Sequence, residues 1–317
     1  MNITFRQLRL FLALAELGSV SAAARALHVT QPTASMQLRD ITQAVGLPLY
    51  EVIGKKVYLT DVGKELAATA RSISGNWDAF EQHVHAVRGL SRGKLRVSVV
   101  STAKYFMPRL VGRFCQHHPA IDVSLEILNR DGVVSRLREN LDDLYIMSMP
   151  PSDLDLMDEA LMPNPIVMIA AQSDPLTRRT GLTLQDVVSR RFILREHGSG
   201  TRMATDQYFK KKRFRADVRM ELGSNEAVKE AVAGGLGLGV VSSHALHGLE
   251  REHGVRVLDV QGFPLTSAWH IVHPELKRLS PLAAAFKAYL LKVAADKARS
   301  PRPFGARDDG SVPRRHS

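Results

Sequence analysis

The chain has 317 residues, of which 44% are hydrophobic and 24% charged, the composition of a soluble globular protein with room for two or three domains. A formal net charge of +11 favours an anionic partner, either nucleic acid or an acidic small ligand. A single cysteine, Cys115, excludes an intrachain disulfide, and because neither a leader-like segment nor an apolar run near ~20 residues occurs, we expect a cytoplasmic protein without a membrane partner.

The N-terminal segment predicts three short helices joined by tight turns. Apolar residues recur at helical spacing over residues 5–15, and Ser19 or Ser21 begins an alanine-rich second helix. Thr30 is the expected N-cap of the third helix, and Pro32 falls in its first turn, where a missing N–H costs nothing. Two helices joined in this way describe a helix-turn-helix, although alanine-rich helix pairs also occur in many all-α domains.

Residues 49–60 predict a β-hairpin with a basic tip at Gly54-Lys55-Lys56. Next to a helix-turn-helix, such a hairpin is a wing whose ammonium groups meet DNA phosphates. Uncharged hydrogen-bonding side chains at the start of the third helix are the type that reads base edges in a major groove. The side chains expected to contact DNA are Ser21, Thr30, Gln31, Pro32, Thr33, Ser35, Met36, Arg39, Lys55 and Lys56.

Residues 61–88 predict one long helix without proline, which at about 1.5 Å per residue spans roughly 40 Å. Its apolar residues follow a coiled-coil spacing, and we expect a dimer whose seam consists of Ile73, Trp77, Phe80 and Val84. The alternative is a helix face packed on its own domain. It is disfavoured because the small preceding domain already uses its apolar residues. Glycines at both ends of residues 89–93 then predict a hinge.

After the hinge, strands and helices alternate, which indicates parallel βαβ units. The first set has strands at 94–100, 121–128 and 144–147 with helices at 108–117 and 132–139. The second set has strands at 166–171, 191–195, 219–221 and 238–241 with helices at 202–211 and 225–234. We therefore expect an α/β protein in which residues 94–298 form two lobes facing each other across a cleft, as in periplasmic solute-binding domains. Residues 299–317, rich in arginine and proline, predict a disordered tail.

Polar and basic side chains stand where these strands end, which is where α/β sheets bind ligands. The backbone N–H groups at the start of the helix near residue 200, with Arg202 beside them, indicate an anion site, and we expect Lys104, Arg130 and Arg202 to converge on it. The alternative is a helix capped by Ser199 or Thr201 that binds no ligand. The residues expected to line the cleft are Ser101, Thr102, Lys104, Asn129, Arg130, Ser148, Glu196, Ser199, Thr201, Arg202, Ser224 and Asn225.

The candidate catalytic and cofactor-binding motifs have either the wrong residue spacing or the wrong order of helix and strand. Residues 198–200 are too short for a nucleophile elbow, and the glycine run at 234–239 ends a helix and enters a strand, the reverse of the dinucleotide-binding order. The 12 histidines show no metal-ligand spacing. We therefore expect no catalytic residue, no metal and no cofactor, but a small-molecule ligand.

Residues 1–60 resemble the winged helix-turn-helix of LysR-type transcriptional regulators. The resemblance is carried by Ala22-Ala23-Ala24, by Thr30-Gln31-Pro32-Thr33-Ala34-Ser35 and by Val45-Gly46-Leu47-Pro48-Leu49-Tyr50. Tyr50 replaces the usual Phe, and Val52 replaces a frequent Arg. Any phosphate contact made by that Arg must therefore come from Lys55 or Lys56 here. The resemblance implies a dimer on a pseudo-palindromic operator, commonly paired into a tetramer, with the cleft as an effector site and RNA polymerase as a possible partner.

Further motifs resemble the CbbR-type members, the regulators of the Calvin-cycle RuBisCO operon. They are Val99-Val100-Ser101-Thr102-Ala103-Lys104-Tyr105-Phe106, Arg195-Glu196-His197-Gly198-Ser199-Gly200-Thr201-Arg202, Gly223-Ser224-Asn225-Glu226 and Leu279-Ser280-Pro281. This resemblance implies an activator that responds to an anionic effector, either a phosphorylated metabolite or NADPH. Residues 145–149 depart from the smaller strand end of that group. The alternatives are a LysR-type regulator of another operon and a cytoplasmic solute-binding or enzymatic α/β domain.

Overall fold

The structure is a computed structural model, and it describes residues 2–54, 56–87, 93–246 and 254–299. The N-terminal part folds into helices α1 (Phe5–Leu17), α2 (Val20–Ala26) and α3 (Gln31–Val45), followed by strands β1 (Tyr50–Ile53) and β2 (Lys56–Leu59). A compact core unites the three helices. Its buried side chains include Phe11, Leu14, Ala23, Ala34, Leu38 and Ile41.

Local capping signals explain where these helices begin and end. Thr4 starts α1 through a capping box, and Gly18 ends α1 in the left-handed region at a φ of 63°. Ser19, rather than Ser21, caps α2. The Thr30 hydroxyl accepts a hydrogen bond from the N–H of Thr33 at 3.4 Å and so caps α3. The chain therefore turns sharply between α2 and α3, as a helix-turn-helix requires.

The wing is an antiparallel hairpin in which Tyr50 faces Leu59 and Ile53 faces Lys56. Gly54, at a φ of 64°, supplies the turn. The N–H of Val57 donates to the carbonyl of Gly18 at 3.1 Å. This bond attaches the wing to the end of α1.

Helix α4 (Asp61–Val87) is 27 residues long and leaves the wing without a break. A Cβ on Gly63 would lie 1.8 Å from the carbonyl oxygen of Leu49, so glycine allows the first turn of the helix to pack against the residue that precedes β1. The predicted helix at 61–88 thus matches to within one residue. Apart from Gly93, the predicted hinge at 89–93 lies outside the described residues, as does the predicted tail beyond Arg299.

The remaining residues form two α/β lobes. Lobe I, residues 93–163 and 268–299, contains β3 (Gly93–Val100), α5 (Met107–His117), β4 (Ile121–Leu128), α6 (Arg130–Arg138), β5 (Leu144–Met147), β6 (Leu156–Pro163), β12 (Ala268–Pro274) and α9 (Pro281–Arg299). Lobe II, residues 164–246 and 254–267, contains β7 (Ile166–Ala171), β8 (Arg191–Arg195), α7 (Gly200–Lys211), β9 (Asp217–Leu222), α8 (Asn225–Ala233), β10 (Leu238–Ser242) and β11 (Val255–Val257).

Each lobe is built on a five-stranded sheet, in the order β4-β3-β5-β12-β6 in lobe I and β11-β7-β10-β8-β9 in lobe II. The expected parallel pairing holds for β3 with β4 and β5, and for β8 with β9 and β10. The other pairs are antiparallel, which corrects the expectation of purely parallel units. Strands β6 and β12 were not predicted because charged or histidine side chains interrupt their apolar pattern, and β11 and α9 were not predicted either.

The chain crosses between the lobes twice, and the two crossings lie side by side. The N–H of Asn164 donates to the carbonyl of Ser267 at 2.8 Å, and the N–H of Ile166 donates to that of Leu265 at 3.1 Å. Paired crossings of this kind allow two lobes to move about a common axis. Within the described ranges, no helix has the length and apolar character that a membrane span requires.

Candidate functional site

The α3 surface carries the side chains predicted to read bases. All of the predicted residues on α2 and α3 are exposed or half-buried: Ser21, Thr30, Gln31, Pro32, Thr33, Ser35, Met36 and Arg39. The hydroxyls of Thr30 and Thr33 lie 2.8 Å apart, and Arg39 Nε donates to the carbonyl of Ser35 at 3.4 Å. Gln31 lies at the first position of the helix with its amide exposed. This end of α3 therefore offers neutral donors and acceptors together with the positive end of the helix dipole.

In the wing, Lys56 is exposed at the start of β2. Its neighbour Lys55, the other predicted phosphate contact, lies outside the described residues. An exposed ammonium on a hairpin beside α3 is positioned to contact a phosphate when the helix enters a groove.

An apolar stripe runs along α4. Ile73, Trp77 and Phe80 are 40%, 49% and 55% exposed, and Val84 is half-buried. The Trp77 ring lies 5.8 Å from that of Phe5 and 5.7 Å from that of Phe80. Large apolar side chains left open to water on one face of a long helix favour burial against a partner.

The predicted cleft residues lie where strands end and helices begin, as expected. Ser101, Thr102 and Lys104 belong to the 3-10 turn after β3, and Ser148 follows β5. On lobe II, Glu196 follows β8, while the start of α7 carries Ser199, Thr201 and Arg202 and the start of α8 carries Ser224 and Asn225. On lobe I, Asn129 and Arg130 lie at the start of α6.

The two lobes make direct contact at these ends. Arg195 Nη2 of lobe II donates to Ser101 Oγ of lobe I at 3.3 Å, and the N–H of Asp131 donates to the carbonyl of Gly198 at 3.2 Å. A Cβ on Gly200 would lie 3.3 Å from Ser148 Oγ, so glycine permits the close approach of α7 to lobe I. Residues of both lobes therefore contribute to a single site between them.

Two buried polar atoms in this site make no well-formed hydrogen bond among the described residues, namely Thr201 Oγ1 and Asn225 Nδ2, although the Asn225 amide lies near the Tyr105 hydroxyl. Thr201 is 3% exposed and Asn225 is 1% exposed. Thr102 Oγ1 accepts a hydrogen bond from Trp269 Nε1 at 3.0 Å, and since the indole is only a donor, the Thr102 proton remains available. Buried polar atoms normally have partners, so this arrangement is suited to a ligand that accepts hydrogen bonds.

The three helices that begin at the cleft are capped differently. Asn129 Oδ1 accepts from the N–H of Gly132 at 3.0 Å, and Ser224 Oγ accepts from that of Ala227 at 3.1 Å, so both side chains act as helix caps. Ser199 occupies the N-cap position of α7 but makes no such bond with its side chain. The first N–H groups of α7 thus lack a side-chain cap, which leaves them available to an anion.

The charged side chains do not converge as the sequence predicted. Arg202 is only 7% exposed. Its guanidinium group donates to Glu221 Oε1 at 2.8 Å and to Asp206 Oδ2 at 2.9 Å, so two lobe II carboxylates already bind it. Arg130 Nε donates to the carbonyl of Met149 at 2.8 Å. The expected meeting of three cations is therefore wrong.

Arg195, which the sequence analysis missed, occupies the centre instead. It is 1% exposed and lies at the end of β8. It donates to both carboxylate oxygens of Glu196 at 2.8 and 2.9 Å, and to Asn225 Oδ1 at 3.2 Å. Glu196, predicted as a ligand contact, is therefore the counter-ion of Arg195. An arginine directly after the buried apolar run Phe192-Ile193-Leu194 was the signal that could have found it.

Lys104 contacts a lobe II carboxylate that was not predicted either. Lys104 Nζ lies 2.7 Å from Glu226 Oε2, and the hydroxyl of Tyr105 donates to Glu226 Oε1 at 2.6 Å. Burial and the Glu226 carboxylate raise the pKa of Tyr105, an effect that the nearby Asn225 amide partly opposes. Tyr105 is thus a neutral hydrogen-bond donor at physiological pH.

Comparison with known proteins matches both parts of the chain. The family model "Bacterial regulatory helix-turn-helix protein, lysR family" matches residues 5–64, and "LysR substrate binding domain" matches residues 88–295. The chain is 43% identical to the HTH-type transcriptional activator CmpR of Synechocystis sp., over 91% of this chain and 95% of that protein. It is 42% identical to the RuBisCO operon transcriptional regulator of Acidithiobacillus ferrooxidans, over 95% of this chain and 97% of that protein.

A solved structure matches the lobes. The CcmR regulatory domain of Synechocystis PCC6803 in complex with 2-PG is 40% identical, with a TM-score of 0.62 over 64% of this chain and 98% of that one. The relatives are transcriptional regulators rather than enzymes, which disfavours the alternative of an enzymatic α/β domain. The chain belongs to the LysR family and is a DNA-binding transcriptional regulator with a two-lobed effector domain.

Proposed function

We propose that this protein activates carbon-fixation genes, the RuBisCO operon among them, in response to a small phosphorylated anion bound between its lobes. Relatives at 42–43% identity are named as a transcriptional activator and as a RuBisCO operon regulator. The CcmR domain, at 40% identity, was solved with 2-PG, an anionic metabolite. These names support an anionic effector of the same chemical class here.

The observation that carries the proposal is the pair of buried atoms without a well-formed hydrogen bond, Thr201 Oγ1 and Asn225 Nδ2. They lie at the starts of α7 and α8, whose helix dipoles favour negative charge. The oxygens of a phosphate or carboxylate would accept from both atoms, from the Thr102 hydroxyl and from the uncapped N–H groups after Ser199. Ser101 and Ser148 lie beside them and would add polar contacts from lobe I.

Lys104 and Arg195 supply positive charge on either side of these atoms. Both are neutralised by carboxylates, Glu226 and Glu196 respectively, so the site is not strongly cationic before the ligand arrives. A small acid with one phosphate needs only the few donors at this site, whereas NADPH, with two ring systems, two riboses and three phosphate groups, needs partners well beyond them. We therefore favour a compact phosphorylated metabolite over NADPH.

For DNA recognition we propose that Gln31, Thr33 and Ser35 contact bases while Lys56, together with Lys55, contacts phosphates. The apolar stripe on α4 would pair two chains, placing two winged domains on the half-sites of a pseudo-palindromic operator. We assign residues 1–60 to DNA binding, 61–88 to dimerisation, 89–93 to a hinge and 94–298 to effector binding. Pairing of dimers into a tetramer and contact with RNA polymerase complete the proposed assembly.

Isothermal titration calorimetry on the full-length protein tests the effector proposal. 2-PG, NADPH and the neutral compound benzyl alcohol are titrated separately at fixed ionic strength. We expect binding heat with 2-PG, weaker or no heat with NADPH, and none with benzyl alcohol. Heat from benzyl alcohol alone, or no heat from either anion, would contradict the proposal.

A further inference from the structure

A carboxylate of lobe II is bound by two side chains of lobe I. Lys104 Nζ lies 2.7 Å from one oxygen of Glu226, and the Tyr105 hydroxyl donates to the other at 2.6 Å. Lys104 and Tyr105 belong to the turn after β3, whereas Glu226 lies in the first turn of α8. Both oxygens of the carboxylate are therefore engaged across the boundary between the lobes.

This bridge adjoins the atoms that we propose hold the effector. Asn225, whose amide nitrogen is buried without a well-formed hydrogen bond, directly precedes Glu226. Arg195 links Asn225 to Ser101, with contacts of 3.2 and 3.3 Å, and Ser101 begins the turn that carries Lys104. An oxyanion bound between Asn225 and this turn has to approach the Glu226 carboxylate.

Glu226 carries the same charge as such a ligand. Burial raises its pKa, but hydrogen bonds from Lys104 and Tyr105 outweigh that effect and lower the pKa to about 2. The carboxylate is therefore ionised at neutral pH. Two anions that share one lysine in a half-buried site repel each other, and this repulsion opposes simultaneous occupancy.

We infer, on the basis of the proposed function, that Glu226 is an internal counter-anion that the anionic group of the effector replaces at Lys104 and Tyr105. The ammonium and the phenol donate equally well to a carboxylate of the protein or to an oxyanion of the ligand. Replacement breaks an ion pair between the lobes. The effector then has different affinities for the bridged and unbridged lobe arrangements, which a conformational switch requires.

Calorimetry with 2-PG on three full-length proteins tests this exchange: the wild type, Glu226→Gln and the matched control Glu230→Gln. Glu226→Gln keeps the size of the side chain and one acceptor oxygen, but it removes the competing charge and replaces the second acceptor with an NH2 donor. We expect it to bind 2-PG about tenfold more tightly than the wild type. Glu230 lies exposed on the same helix, so removal of its charge should change the affinity less than about twofold.

The direction of the change separates this role from a direct contact or a structural role. If Glu226 bound a hydroxyl of the effector or only supported the fold, Glu226→Gln would bind 2-PG equally or less tightly, which would overturn the inference. Thermal melting checks the fold of the variant, and Glu226→Ala provides a second test with the same expected gain. If the wild type binds 2-PG but neither variant binds it more tightly, only this inference fails. If no protein binds 2-PG or NADPH, the proposed function fails as well.

Discussion

Trp269 Nε1 donates a hydrogen bond to Thr102 Oγ1 across 3.0 Å, with both side chains buried in lobe I. Trp269 belongs to β12, the strand by which the chain returns to lobe I, and Thr102 belongs to the turn after β3. The return strand thus fixes the orientation of a hydroxyl in the proposed effector site. It also joins segments separated by 167 positions.

Replacing Trp269 with phenylalanine tests this link. Trp269→Phe keeps an aromatic ring but removes the donor and leaves space in the core, so the free energy of unfolding should fall by about 1–3 kcal/mol. Affinity for 2-PG should also fall because the Thr102 hydroxyl is no longer oriented. Urea denaturation and calorimetry measure the two effects. Thr102→Ser, which keeps the oxygen, should lose less stability and less affinity for 2-PG. A Trp269→Phe variant with unchanged stability and unchanged affinity would refute the link.

Thr201→Val should separate ligand binding from stability. The Thr201 hydroxyl is buried without a partner, so an isosteric valine should leave the stability unchanged or raise it, whereas 2-PG affinity should fall about tenfold. Thr205 is the matched control, since its hydroxyl donates to the carbonyl of Thr201 at 2.8 Å. Thr205→Val should cost stability and spare the affinity. The opposite pattern in melting and calorimetry would remove Thr201 from the effector site.

The sequence predicted most of the elements around this cleft, but it could not predict the charge pair that joins the two lobes. Local signals were sufficient to predict the Thr30 cap and the strand ending at Arg195, because the residues that determine each feature lie within a few positions of one another. Lys104 and Glu226 are 122 positions apart, and only the packed lobes bring them together. For Arg202 a readable signal did exist, because Asp206 follows at the helical i, i+4 spacing and forms an ion pair with it.

Charged residues on the α4 stripe should prevent pairing of the DNA-binding domains. In the double variant Ile73→Asp/Phe80→Asp, dimerisation would bury two carboxylates from each chain, so we expect a smaller species in sedimentation velocity and weaker operator binding. Ala68→Asp places one charge on another exposed part of α4 and should leave the size of the sedimenting species and the operator affinity unchanged. If the double variant keeps its size and operator affinity, this stripe is not the interface.

Base and phosphate contacts should respond differently to substitution. Lys56→Ala should weaken binding to operator and random DNA alike and flatten the salt dependence, because a phosphate contact carries no sequence information. Gln31→Ala should mainly reduce discrimination, by about 1–3 kcal/mol for a good base contact. Electrophoretic mobility shifts on both DNAs at several salt concentrations distinguish the two. Equal losses on both DNAs from both variants would show that the assigned roles are wrong.

The central claim is that an anion bound between the lobes changes how the protein occupies DNA. DNase footprinting of the full-length protein on the promoter upstream of the RuBisCO operon of the same genome, with and without saturating 2-PG, tests it most directly. We expect a pseudo-palindromic protected region whose extent changes when 2-PG is added, and no change with Thr201→Val at the same concentration. A footprint that is identical with and without 2-PG would contradict the account.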